Sequence, residues 1–162
     1  MRPELFTRAQ LLSAGVSSSM ISRQYTRVLP QLYSAEEPTT FVRCCAVTLW
    51  QPEALLSHRT AAWLYGWMKE PRIVEATLPR HMKARTPRWL TVYRRALPGR
   101  EATEVQGLAV VNRERTLVDC VAVMEPNESG TLVDERLTND MDSTCWRHSF
   151  AVLRSCAATN ER

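Results

Sequence analysis

The stretch VSSSMISRQYTR, residues 16–27, holds the densest set of side chains suited to recognising another molecule. If a helix begins at Ser17, its spacing turns Val16, Met20 and Ile21 inward. Ser18, Ser19, Ser22, Arg23 and Gln24 then lie on the outer side. Short hydroxyls near a helix start let the backbone approach a base edge, and Arg and Gln are the long donors that read guanine and adenine in a major groove. Ser17, at the helix start, and Arg27, just beyond the helix, are placed to hold flanking phosphates. A solvated helix face accounts for the same residues, so the pattern alone leaves both readings open.

A second group is basic. Arg80, Lys83, Arg85 and Arg88 lie in or beside the connection HMKARTP, with Arg94 and Arg95 shortly after. Such a cluster can neutralise phosphates, or simply tip a β-hairpin in water. Catalytic chemistry has little to stand on. His58, His81 and His148 are scattered, and no nucleophile elbow, phosphate-binding glycine loop or paired-histidine zinc motif occurs. Asp119, in RTLVDC, reads as a salt-bridge or capping residue of a helix, and His58 as a structural hydrogen-bonder at a helix start. The five cysteines, Cys44, Cys45, Cys120, Cys145 and Cys156, show no zinc spacing and read as reduced, mostly buried thiols. The sequence therefore predicts no enzyme activity, no metal and no cofactor.

The elements that must position these groups are marked by their ends. Thr7 and Gln10 form a T-x-x-Q capping box, with Phe6 and Leu11 as its apolar staple. Gly15 closes that helix, and Ser17 caps the next. A strand-like run, YTRVLPQLYS, follows, and Pro30 within it suits a two-stranded wing. TFVRCCAVTLWQ, LSHRTAAWLYGW (capped by Ser57, stopped by Gly66) and RERTLVDCVAVM (capped by Asn112) read as helices. IVEATLPR, LTVYRR and GLAVVN read as strands, the first two joined as a basic β-hairpin. SGTLVDERLTNDM and CWRHSFAVLRSC are further helix candidates. The expected fold is α+β: a winged helix-turn-helix over 1–38, a small mixed α/β unit over 39–125, and a helical segment over 126–162.

Charge is unevenly spread over the 162 residues. The first 100 carry 15 Lys/Arg and 6 Asp/Glu, the remainder 6 and 11. That split suits a basic working surface and an acidic tail. No apolar run is long enough for a membrane span, and the N-terminal residues MRPELFTRAQ do not read as a signal peptide. A cytoplasmic location without membrane partners is the expectation.

In order, LFTRAQLLSAGVSSSMISRQ, RVLPQLYS, LLSHRTAAWLYGW, VEATLPR, LTVYRRALP and GLAVVNRERTLVDC resemble the AbiEi-like antitoxins of actinobacteria and their phages, over roughly residues 5–125. The resemblance implies a winged helix-turn-helix that binds double-stranded operator DNA and represses its own operon. In such a type IV toxin–antitoxin system no direct toxin contact is required. Homodimers and cooperative monomers on DNA are both left open. A phage or prophage immunity repressor controlling lysogeny is an alternative. So is a non-catalytic interaction module related to endonuclease-bearing homologues. Gln31 departs from the family pattern by standing where the wing usually carries glycine.

Overall fold

The computed structural model describes residues 5–83, 85–96 and 99–139. Strand β1 (Leu5–Thr7) leads into helix α1 (Arg8–Ser13). The capping box forms as its sequence predicts. Gln10 N–H donates to Thr7 Oγ1 at 3.2 Å, and Thr7 N–H donates to Gln10 Oε1 at 2.8 Å. Gly15, at φ +82, supplies the left-handed residue that turns the chain into helix α2 (Ser18–Gln24). Strands β2 (Thr26–Leu29) and β3 (Leu32–Ser34) complete a three-stranded antiparallel sheet in the order β1-β3-β2. A register shift between Arg27 and Leu29 lets the adjacent residues Val28 and Leu29 both turn inward.

Helix α3 (Thr40–Trp50), capped by Thr39, follows. A second sheet of five strands has the order β6-β5-β4-β8-β7. Its members are β4 (Leu55–Leu56), β5 (Val74–Leu78), β6 (Leu90–Arg94), β7 (Ala102–Val105) and β8 (Leu108–Val111). Helix α4 (His58–Leu64) lies between β4 and β5 in the chain, and α5 (Arg113–Val123) and α6 (Pro126–Asn139) follow the sheet. One apolar cluster runs from Val28, Leu29 and Leu32 through Cys44 and Val47 to Leu56, Ala76 and Val110, so α3 links the interiors of the two sheets. A smaller cluster joins α4, α5 and α6 through Ala62, Leu117, Cys120 and Leu132, with Trp67 beside them. The α+β class is as the sequence predicts. No helix among the described residues is long and apolar enough to cross a membrane.

Several details differ from the sequence expectation. The basic β-hairpin does not form: β5 and β6 are parallel, with Leu78 opposite Arg94 and Val74 opposite Leu90. A tight hairpin forces antiparallel pairing, whereas residues 79–89 are long enough to carry the chain back and start β6 in the same direction. β5 is buried at all five positions, as suits a strand inside a sheet. Strands β4 and β7 carry too little apolar alternation to stand out. β7 and β8 instead form a hairpin closed by Gln106 (φ +54) and Gly107 (φ +78). Met20 does not turn inward: it is 44% exposed, and Ile21, at 2%, is the residue of α2 that reaches the interior. Two turns of helix offer one narrow inward stripe, and successive residues lie about 100° apart. Candidate helix CWRHSFAVLRSC, with Cys145, His148 and Cys156, lies outside the described residues.

Candidate nucleic-acid interface

Helix α2 is built to hold an exposed face in a fixed place. Ser17 caps it, its Oγ accepting from Met20 N–H at 3.3 Å and lying 3.0 Å from Ser19 Oγ. Its inner side is fixed by Ile21, and Tyr25, just past its end, packs edge-on against Phe6 with ring centroids 6.1 Å apart. The tie between the two helices comes from Arg8, which the sequence reading overlooked. Its guanidinium donates to Ser18 Oγ at 3.0 Å, across the Gly15 turn. Ser22 Oγ donates to Ser18 O at 3.1 Å. Ser17, Ser18, Ser19, Ser22, Arg23 and Gln24 are all exposed, and so is Arg27 on β2. The structure thus gathers seven of the sequence-predicted residues on one helix, its cap and the strand after it.

The β2–β3 turn is made by Pro30 and Gln31. Gln31 takes φ +65, the conformation that glycine adopts without strain. Its carbonyl accepts Arg8 N–H at 3.0 Å, fastening the turn to the start of α1.

The second basic group sits on other elements. Arg80 lies in a turn closed by Met82 N–H donating to Pro79 O at 3.1 Å. Arg80, Lys83, Arg85 and Arg94 line an open bay of about 550 Å³ at the carboxyl ends of β5 and β6. Arg88 is exposed but does not line it. Arg94 and Arg95, adjacent in sequence, have opposite fates. Arg94 Nε donates to Met82 O at 3.0 Å, beside the bay. Arg95 turns inward to Glu101 at 2.8 Å and Asp119 at 3.7 Å.

A buried polar network joins the start of α4 to β5 and β6. Ser57 stands at the cap position of α4 but makes no side-chain cap bond. Its hydroxyl instead accepts from Thr77 Oγ1 at 2.8 Å and meets His58 Nδ1 at 2.8 Å. His58 takes φ +52 and stacks on Tyr93 at 3.7 Å between ring centroids. Tyr93 O–H donates to Glu75 Oε1 at 2.9 Å, and Arg59 N–H donates to Glu75 Oε2 at 2.9 Å. Arg115 pairs with Asp119 four residues on, at 2.6 Å. Burial pulls the His58 pKa down to about 4; nearby Asp119 opposes this, while Arg115 and Arg59 add to it. The ring is therefore neutral at pH 7. Burial, with Glu75 alongside, pushes Tyr93 up to about 12, and burial does the same for Cys44 and Cys120. His58, Glu75 and Asp119 are 6%, 5% and 2% exposed, and Asp119 Oδ2 is buried with no hydrogen-bond partner among the described residues. They brace α4 and α5 against β5 and β6. His58 and Asp119 hold the structural places that their sequence contexts suggest.

No protein-family model matches the sequence, and no curated protein does. Among solved structures, the chain is similar to the crystal structure of the RV2827C protein from Mycobacterium tuberculosis. The TM-score is 0.53 and the identity 15%, over 73% of this chain and 55% of that one. The chain spans about half the length of that protein, and the likeness is one of fold.

Proposed function

We propose that this protein is a sequence-specific, double-stranded DNA-binding repressor of the AbiEi-like antitoxin kind, acting on its own operon. In this reading α1 and α2 are the helix-turn-helix and β2–β3 is the wing. The observation that carries it is the exposed α2 face, held on one side by Ile21 and by the Arg8–Ser18 bond. A reading helix needs that combination, because base discrimination depends on donors placed rigidly against a groove. Ser18, Ser19, Ser22, Arg23 and Gln24 face the bases. Ser17 and Arg27 hold phosphates, and Arg80, Lys83, Arg85 and Arg88 add phosphate contacts farther along. Binding needs no cofactor and no membrane, takes place in the cytoplasm, and requires no direct contact with a toxin.

The test is a mobility-shift titration with duplex DNA from upstream of the protein's own gene, against random duplex of equal length. A preference of 10³-fold or more at physiological salt is the expected result. Equal affinity for both duplexes sinks the repressor reading.

A further inference from the structure

The bay at the carboxyl ends of β5 and β6 has a chemistry of its own. Parallel pairing sets Arg94 opposite Leu78, and the Pro79–Met82 turn brings Arg80 back over the same end of the sheet. Lys83 and Arg85 complete the lining. Five arginines elsewhere, Arg43, Arg59, Arg95, Arg115 and Arg136, each reach a carboxylate. Others, Arg23 and Arg27 among them, stand exposed without a carboxylate contact among the described residues. Among the described residues, none of the four bay cations has an acidic partner, and no acid lines the recess. Arg94 is also held at one nitrogen: Nε is used on Met82 O, while its terminal nitrogens have no protein partner among the described residues. An arginine fixed at Nε still presents a planar donor edge to an oxyanion. Like charges gathered in one recess repel one another, and a polyanion relieves that cost.

We propose that Arg80, Lys83, Arg85 and Arg94 form a binding bay for a run of adjacent phosphates. A volume of about 550 Å³ is within the range of small-ligand sites and leaves far more room than one phosphate needs. Consecutive phosphates of a DNA strand and the chain of a free nucleoside polyphosphate share this chemistry. The assignment deepens the reading of Arg80, Lys83 and Arg85 as phosphate contacts and rests on it. It adds Arg94 and excludes Arg88 from the bay.

The experiment is calorimetric titration of the full chain with tripolyphosphate at fixed ionic strength, with thermal melts confirming that each variant folds. Wild type should bind one equivalent. Arg94→Gln, and independently Lys83→Gln, should weaken binding at least tenfold. Arg72→Gln removes the same charge from an exposed position before β5, at the opposite end of that strand, and should change binding less than twofold. Absence of saturable binding to wild type overturns the proposal, and so does equal weakening by Arg72→Gln and Arg94→Gln, which would make the effect one of net charge. Repeating the titration with duplex DNA present identifies the source. Competition assigns the bay to the DNA backbone, and simultaneous binding assigns it to a free polyphosphate. Tripolyphosphate binding by a protein that binds no DNA would leave the bay standing and remove the repressor.

Discussion

Gln31 and His58 hold left-handed backbone without being glycine, at φ +65 and +52. For an L-residue this conformation costs roughly 1–2 kcal/mol, and glycine gives back roughly 0.5–1 kcal/mol of that through lost backbone entropy. Gln31→Gly should therefore stabilise the protein by up to about 1 kcal/mol, read as a higher urea midpoint at unchanged slope. A lower midpoint would mean that the Gln31 side chain contributes more than its backbone costs. His58 makes a prediction about pH. Its folded pKa is near 4, against 6.5 for a free imidazole. Between those values the unfolded chain binds more protons, so stability is complete above about pH 6.5 and is lost as pH falls toward 4. By pH 4.5 the loss should be on the order of 2 kcal/mol. His58→Asn keeps a side chain that tolerates the left-handed region and removes the titration. Urea unfolding at pH 7 and pH 4.5 should show a smaller pH difference in the variant than in wild type, and equal differences would contradict a neutral buried His58.

Among the elements, α1 offers the simplest test. Thr7→Ala removes the capping-box hydroxyl and should cost about 1 kcal/mol, with DNA affinity reduced only through that loss. A melting temperature equal to wild type would contradict the role given to the cap. The connection between β5 and β6 is tested through salt. Replacing Lys83 and Arg85 together by alanine should flatten the plot of log affinity against log salt by roughly 1–2 units. Specific and random DNA should lose affinity alike, because phosphates carry no sequence. An unchanged slope in the folded double variant would remove this region from the DNA contact. Element ends were legible in the sequence because each cap is a local chemical signal. Thr7 with Gln10, Gly15, Ser17, Asn112 and the Pro30 turn all announce themselves within four residues. Strand partners were not. Whether LTVYR pairs with VEATL in parallel or antiparallel depends on the path of residues 79–89, which no local pattern encodes. The exposed polar side chains of α2 were legible through their residue types. Arg8 was hidden, since its bond to Ser18 exists only once the Gly15 turn has formed. Arg94 was visible as a charge, but its place in the bay follows from parallel register.

Across the whole molecule, two basic groups sit on a continuous framework. The apolar cluster from Val28 to Val110 joins the sheet behind α2 to the sheet that carries the bay, through α3. The central claim is that the α2 face reads bases. The most direct test is the affinity of wild type and Arg23→Ala for upstream duplex and for random duplex, at one fixed salt concentration. Arg23 is exposed on α2 and has no structural partner among the described residues, so its loss should leave the fold intact. If Arg23 meets a guanine with both donors, the variant should lose roughly 1–3 kcal/mol on the upstream duplex and far less on the random one. Equal losses on both duplexes would make Arg23 a phosphate contact and contradict the assignment of α2 as the reading helix.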